Sequence, residues 1–184
     1  LQSDDDVFRN STYTSRILNG SGYSRYEISN YSLPGHQSRH NRVYWSGSGW
    51  WSFGQGSTSS PWGEKFTRPR VSRDYKEWVI NQCENGLDNS LINEDFVYQE
   101  LDEKIMLGMR LKEGINIHKI LRELNWEETE FNNNLIKLIR EWDRYLESGL
   151  LIRSGNRFFL SDPKGMDLSN QILISMFEWW EKIN

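Results

Sequence analysis

The chain contains very little cysteine, and this scarcity excludes several kinds of site. Its single cysteine, Cys83, permits no internal disulfide and no metal site built from cysteines. An iron–sulfur cluster needs three or four thiolates, so the chain cannot hold one by itself. A lone cysteine also suits a reducing compartment. We therefore expect a cytoplasmic protein in which Cys83 is structural.

Long apolar runs are also missing. No run approaches the roughly 20 residues that span a bilayer, and no charged segment followed by an apolar one marks a secretory signal. A mean hydropathy of −0.75 with 26% charged residues indicates a well-hydrated surface, whereas 36% hydrophobic residues suffice for a core. We expect a soluble protein without a transmembrane segment. Because the chain opens on Leu1 rather than Met, we also expect further sequence upstream.

Charge is distributed unevenly along the chain. Between Gly35 and Lys76 there are seven basic and two acidic residues, whereas from Asp95 onward there are twelve basic and sixteen acidic residues. The net charge is −4. This asymmetry predicts different roles for the basic middle and the acidic C-terminal part.

The N-terminal residues read as a helix followed closely by a strand. Ser3 and the three aspartates after it are typical of a helix start, since a capping hydroxyl and acidic side chains are favoured there. The helix should run to about Leu18 and stop at Asn19-Gly20. Residues 26–29 alternate apolar and polar side chains, which predicts a strand. Such a step predicts the edge of an α/β layer that upstream residues complete.

Residues 33–67 combine glycine with tryptophan and show no helical period. Loops longer than about 12–15 residues are uncommon unless functional or disordered, and this aromatic content argues against disorder. We therefore predict an ordered, functional loop whose backbone turns tightly against something flat. Its glycines and tryptophans are Gly35, Gly47, Gly49, Gly54, Gly56, Gly63, Trp45, Trp50, Trp51 and Trp62.

The remaining chain predicts a helical domain. Residues 72–82 read as a capped helix and residues 83–93 as a linker. Three helical patterns follow, and then a β-hairpin about Ser154-Gly155-Asn156 and a last helix. This order is typical of a winged-helix domain, predicted over 94–184. The stripes that define the helices are Val97, Leu101, Ile105 and Met109; Ile117 to Leu124; Phe131, Leu135, Leu138, Trp142 and Tyr145; and Leu168, Ile172, Met176, Trp179 and Ile183.

The core of this domain can be predicted from the same stripes. We expect Leu135, Leu138, Trp142 and Leu150 to lie inside and the hairpin turn to be exposed. A winged helix first suggests DNA, whose phosphates require Lys and Arg. The third helical pattern, 131–147, carries as many acidic as basic residues. We therefore expect no DNA binding and favour a packing or partner-docking module.

The most specific pattern is the hexapeptide His40-Asn41-Arg42-Val43-Tyr44-Trp45, an HNxxYW motif at the start of the Gly/Trp-rich segment. With its surroundings, it resembles the block that follows the barrel in HemW-type proteins, relatives of the oxygen-independent coproporphyrinogen III oxidases called HemN. HemN proper lacks HNxxYW, so HemW is the closer match. The other matching segments, which extend the resemblance over nearly the whole chain, are Tyr26 to Tyr31, Pro34-Gly35-His36, Ser38-Arg39, Phe53 to Gly56, Ile105 to Leu111, Gly149-Leu150-Leu151 and Pro163-Lys164-Gly165.

The resemblance implies a fold and a missing partner segment. In that family an N-terminal partial (β/α) barrel carries three cysteines for a [4Fe–4S] cluster, with S-adenosylmethionine (SAM) at the cluster's open site. That motif is absent here, so the chain resembles the C-terminal half. The implied fold is α+β: residues 1–82 form an edge piece of the radical SAM barrel with the HNxxYW segment, 83–93 a linker, and 94–184 a winged-helix-like domain.

The resemblance also implies a function. HemW members are regarded as haem-binding chaperones, which would pass haem to an acceptor protein. Two alternatives stay open: an oxidase that decarboxylates coproporphyrinogen III through a SAM-derived radical, and a non-catalytic winged-helix interaction module. The fragment alone should catalyse neither radical reaction nor SAM cleavage.

Haem requires an axial donor, flat apolar walls and cations for its two propionates. The resemblance implies haem binding by His40, Asn41, Arg42, Tyr44 and Trp45, with His40 on the iron. His36 is the nearest substitute ligand, and His118 is expected to have a surface or capping role. Further aromatic and basic residues in the region are Trp50, Trp51, Arg39, Arg68 and Arg70.

The glycine-rich turn is the other implied site. In the oxidases, residues just after this turn approach a SAM molecule, which implies a SAM-proximal role for Gly56, Ser57 and Thr58. The sequence departs from the family here: Trp50-Trp51-Ser52 precedes the turn, and Ser57-Thr58 occupy the place where relatives often have a histidine.

Overall fold

The structure is a computed structural model that describes residues 4–61, 65–86 and 101–183. These residues form two compact units: the first contains residues 4–39 and 101–183, and the second contains residues 40–61 and 65–86. The fold is α+β, with eight helices and seven short strands among the described residues. Several predicted features lie outside them, namely the cap at Ser3, Trp62, Gly63, Val97 and most of the linker 83–93. The predicted domain limits therefore stay predictions.

The first unit begins with a helix and a tight antiparallel ribbon. Helix α1 spans Asp4–Gly20, two residues beyond its predicted end, and strands β1 (Ser24–Arg25) and β2 (Tyr31–Ser32) pair antiparallel. The predicted strand over 26–29 is wrong, because these residues form the turn between β1 and β2. There the amide of Tyr26 donates to the carbonyl of Asn30 over 3.1 Å.

A third segment borders this ribbon. The amide of Ile28 donates to the carbonyl of Arg110, and the amide of Lys112 donates to the carbonyl of Tyr26, both over 3.0 Å. Glu27 and Leu111 form the antiparallel bridge between these bonds. The turn is thereby fixed to the C-terminal part of the same unit, and its pairing is antiparallel, whereas a barrel strand would require parallel partners.

The C-terminal part of the first unit has the predicted order of helices and hairpin. Helices α4 (Leu101–Met109), α5 (Ile117–Arg122) and α6 (Glu128–Glu147) precede strands β6 (Leu151–Ser154) and β7 (Arg157–Leu160). A short strand β5 (Ile115–Asn116), which the sequence did not predict, pairs with β7 and makes a three-stranded sheet of order β5-β7-β6. Two helices, α7 (Lys164–Asp167) and α8 (Ser169–Ile183), complete the unit.

One hydrophobic core joins these elements. Trp142 is 1% exposed, Leu138 is fully buried and Leu135 is 6% exposed, which confirms their predicted interior position. Leu150 is only half-buried against the core, and its neighbour Leu151 is the buried residue. The turn at 154–156 is exposed, as predicted. The core therefore forms from one face of α6 packed on α8 and on the hairpin.

The second unit is smaller and contains short strands between helices. The prediction of no helix in 33–67 is wrong, because α2 spans Arg39–Trp45. Strands β3 (Thr58–Ser59) and β4 (Phe66–Thr67) pair antiparallel, and α3 spans Ser72–Asn85. Helix α3 thus extends three residues past its predicted end and includes Cys83, which is exposed on it. Residue 71, Val71, stands at its N-cap and supplies no side-chain hydrogen bond, so the predicted cap is wrong.

Candidate functional site

Helix α2 carries all five residues that the resemblance assigns to haem. Its C-terminal end is closed by two backbone hydrogen bonds, from Gly47 to Tyr44 over 3.2 Å and from Ser48 to Val43 over 3.1 Å. Gly47 has a φ of +68°, a left-handed conformation that glycine adopts without strain. This glycine therefore fixes where the helix ends and where the chain turns toward Trp50.

The helix aligns two of the predicted residues on one face. His40 and Tyr44 are four positions apart, the spacing at which helical side chains meet. Their ring centroids are 4.8 Å apart at 87°, an edge-to-face contact. The Tyr44 ring in turn meets Trp50, beyond the helix, at 4.7 Å and 63°. His40, Tyr44 and Trp50 form a row of three rings, here called the aromatic row.

The aromatic row extends from the surface of the unit toward its interior. His40 is exposed, while Tyr44 and Trp50 are half-buried. An imidazole at the exposed end of a row of rings is accessible to a large flat ligand and is oriented by its neighbour. This geometry suits an axial donor, since the neutral imidazole is a common haem ligand.

Helix geometry separates the other predicted residues from this row. Arg42 lies two positions from His40, and side chains at that spacing do not face each other. Asn41 and Trp45 share a face one position further around the helix. All three are half-buried and have contacts of their own. The structure therefore groups His40 with Tyr44 and Trp50, and it does not group His40 with Arg42.

The remaining histidines lie in the first unit. His36 is exposed, and its amide closes a turn on the carbonyl of Leu33 over 3.0 Å. His118 lies on α5 with its ring edge-on to Phe131 at 5.6 Å. Burial lowers the pKa of His118, and the positive charges of Arg153 and Arg122 lower it further.

The glycine-rich turn uses its hydroxyl groups internally. Gly54 and Gly56 have φ of +94° and +69°. The Ser57 hydroxyl donates to the carbonyl of Gly54 over 2.6 Å, and the hydroxyl oxygens of Thr58 and Thr67 are 2.7 Å apart. The implied SAM-proximal residues thus form a turn and the start of β3, held by local hydrogen bonds.

Sequence reasoning did not single out Arg68 among the four arginines of this region. It is only 6% exposed. Its Nη1 donates to three serine hydroxyls, those of Ser59 over 2.9 Å and of Ser52 and Ser57 over 3.3 Å each. The guanidinium carbon lies 5.2 Å from the Phe66 ring centroid and 5.4 Å from that of Trp78. We call Arg68, its three serines and its two rings the arginine cradle.

A second polar cluster lies in the first unit and is structural. Arg25 pairs with Asp167 over 2.9 Å and with Asp162 over 3.6 Å, and the Ser11 hydroxyl donates to Asp167 over 2.7 Å. Nε of Arg25 donates to the carbonyl of Ile28 over 3.1 Å. These bonds hold α1 and the β1–β2 ribbon to α7. A cavity of about 440 Å³ beside them is lined by Phe8, Ser11, Arg25, Ile28, Met166, Asp167 and Leu168.

The described residues were compared with the ligand sets that metal ions require. Within residues 4–61, 65–86 and 101–183, no three His, Cys, Asp or Glu side chains are grouped so that they could hold a metal ion. The whole chain has one cysteine, so its residues do not fit a [4Fe–4S] cluster. No helix among the described residues is both long and apolar enough to cross a membrane.

Comparisons with known proteins find relatives that match most of the chain. The heme chaperone HemW of Synechocystis is 31% identical over 172 residues, which cover 88% of this chain and 41% of that protein. The heme chaperone HemW of Lactococcus lactis is 27% identical over 175 residues, covering 94% of this chain and 42% of that protein. The mitochondrial radical S-adenosyl methionine domain-containing protein 1 of Danio rerio is 25% identical over 164 residues, covering 86% and 34%.

The chain thus spans about two fifths of the length of these two HemW proteins. No family model matches it, and no solved structure matches it significantly. The matched share is consistent with a C-terminal portion of such a protein, as the motifs indicated. The resemblance is confirmed: over nearly its whole length, the chain is a relative of the HemW-type haem chaperones.

Proposed function

We propose that this chain is the haem-binding C-terminal part of a HemW-type radical SAM protein that acts as a haem chaperone. The observation that carries the proposal is the exposed His40 imidazole at the end of the aromatic row. In this proposal haem is cargo, which the protein holds and passes to an acceptor protein. The names of the relatives support this reading.

In this proposal one imidazole nitrogen of His40 coordinates the haem iron. The edge-on ring of Tyr44 restricts the rotation of that imidazole, and Trp50 supports Tyr44 from behind. The other three motif residues lie on other faces of α2: Asn41, Arg42 and Trp45. There they would contact the edge of the macrocycle or stabilise the helix. The flat faces of the tryptophans offer the apolar surface that a porphyrin requires.

The whole parent protein would contain the barrel that this chain lacks. Residues 1–82 would then border a radical SAM barrel, and Gly56, Ser57 and Thr58 would lie near its SAM molecule. The [4Fe–4S] ligands must come from that barrel, because this chain offers one thiol. We propose the cytoplasm as the location, on the strength of the same cysteine count.

The C-terminal part of the first unit supports a winged-helix-like module that docks a protein rather than DNA. Its order of α4, β5, α5, α6 and a β-hairpin is the order of a winged helix. The helix in the place of a DNA reader, α6, carries five acidic and three basic side chains. A DNA-reading helix requires the opposite balance.

The oxidase alternative differs from the chaperone in one requirement. Oxidative decarboxylation needs the cluster and SAM of the parent, whereas haem binding needs only residues such as those of α2. If the parent protein is a chaperone, it should bind haemin and leave coproporphyrinogen III unchanged in an anaerobic assay. Decarboxylation of that substrate would favour the oxidase instead.

Haemin titration of the chain tests the haem site. The unaltered chain should shift the Soret band, His40→Ala should lose the shift, and His118→Ala should keep it as the matched control in the other unit. If His40→Ala binds like the unaltered chain, the His36→Ala/His40→Ala double variant decides whether His36 has substituted. Retained binding in the double variant would refute the proposed ligand.

A further inference from the structure

The arginine cradle contains a buried positive charge that has no counterion among the residues that the structure describes. Arg68 is 6% exposed, and its only hydrogen-bond partners among the described residues are hydroxyl groups. Burying an ion without an opposite charge is costly, and buried charges in proteins are normally paired. The neutral serines solvate the guanidinium but leave its charge uncompensated.

The unused edge of the guanidinium is the one that binds a carboxylate. Nη1 makes all three bonds to the serines, whereas Nε and Nη2 have no acceptor in the part of the chain that the structure describes. Neither nitrogen is among the fully enclosed side-chain atoms that lack a hydrogen-bond partner. Nε–H and Nη2–H point in parallel and match the two oxygens of a carboxylate.

The orientation of that edge is fixed before any ligand arrives. The Phe66 and Trp78 rings lie 5.2 and 5.4 Å from the guanidinium carbon and restrict its plane. The bonds from Nη1 restrict its rotation within that plane. A donor pair that is already oriented loses little entropy on binding.

The cradle is connected to the aromatic row through a few backbone bonds in the same unit. Trp50 and Ser60 exchange two hydrogen bonds, of 3.0 and 2.9 Å, across an antiparallel bridge. The next residue, Ser59, accepts from Arg68. The ring at the inner end of the row and the buried guanidinium are thus held by consecutive residues of one strand segment.

We propose that the Nε–Nη2 edge of Arg68 binds one propionate carboxylate of haem. This inference rests on the proposed function, and it adds a residue that binds the carboxylate side of the macrocycle. The single positive charge of the cradle matches the single negative charge of a carboxylate, whereas a phosphate dianion would require a second cation. Arg42, which the motif suggested for this role, points away from the His40 face of α2.

The test compares haemin with haemin dimethyl ester, in which both propionates are uncharged. A charged hydrogen-bonded contact is worth about 10- to 100-fold in affinity, so the unaltered chain should bind haemin at least about tenfold more tightly than the ester. Arg68→Gln should lower this ratio to near one. Arg68→Lys keeps the charge but loses the fork, so it should keep only part of the ratio.

The controls separate a binding role from a folding role. Arg73→Gln removes an equal charge from α3, where the Arg73 side chain is 82% exposed, and it should leave the ratio unchanged. Circular dichroism must show that Arg68→Gln is folded. If it is not, the haemin-to-ester affinity ratios of the unaltered chain and of Arg68→Lys still test whether Arg68 binds a propionate. Equal binding of acid and ester by the unaltered chain, or an unchanged ratio in Arg68→Gln, overturns the anchor alone. Failure of the unaltered chain to bind either macrocycle overturns the anchor and the haem site together.

Discussion

Replacement of Trp142 by alanine should destabilise the first unit more than almost any other single change. Trp142 is 1% exposed, and its ring centroid lies 5.2 Å from that of Phe158 on the hairpin. Truncating a buried tryptophan typically costs about 3–5 kcal/mol of unfolding free energy, because apolar contact is lost and a cavity remains. One feature reduces this figure. The indole Nε1–H is enclosed and has no acceptor among the described residues, and its removal relieves part of the roughly 1–3 kcal/mol cost of an unpaired buried donor.

We therefore expect Trp142→Ala to cost about 3 kcal/mol and Trp142→Phe, which keeps a ring but removes the donor, to cost less than about 1.5 kcal/mol. Urea unfolding followed by far-ultraviolet circular dichroism measures both. Asn156→Ala, at the exposed hairpin turn, is the control and should stay within about 0.5 kcal/mol of the unaltered chain. A loss of less than about 1 kcal/mol for Trp142→Ala would refute the placement of this ring in the core.

Three further outcomes follow from the same structure. Gly49→Ala should lower the melting temperature of the second unit, because its Cβ would lie 2.1 Å from the carbonyl oxygen of Pro61; Gly20→Ala, whose Cβ meets nothing within 4 Å, should not, and equal melting of the two would contradict this packing. The pKa of His118 is lowered in the folded state, so the unfolded chain takes up the proton first, and the stability that the neutral ring provides is present above about pH 6.5 and is lost as the pH falls below it. His118→Gln should flatten that part of a melting-temperature profile, and an unchanged slope would count against it. Reconstitution with iron and sulfide should leave the chain colourless and unable to release 5′-deoxyadenosine, because Cys83 is its one thiol; cluster-like absorption would overturn this.

The C-terminal helices could be predicted because their apolar residues repeat at helical spacing over long stretches. Helix α6 spans twenty residues, and its stripe gave both the helix and its buried face. Strand β5 could not be predicted, because two residues give no alternation. Leu150 and Leu151 were interchanged, since two adjacent leucines do not show which one faces the core.

The candidate site could be predicted in part. The motif located His40 and Tyr44, but helix α2 was missed because seven residues between glycine-rich stretches show no period. Ser46-Gly47 was a signal for its end, since glycine is common just past a helix. The burial of Arg68 could not be predicted, because it depends on serines and rings that the fold brings together from residues 52 to 78.

Chemical rescue of the iron ligand tests the haem site most directly. His40→Gly removes the exposed imidazole from the aromatic row and leaves room for a free imidazole beside Tyr44. Haemin should then give no Soret shift with this variant, and added imidazole should restore the shift toward that of the unaltered chain. A Soret shift that stays unchanged without imidazole, both in this variant and in the His36→Ala/His40→Gly double variant, would contradict the claim that His40 binds the haem iron.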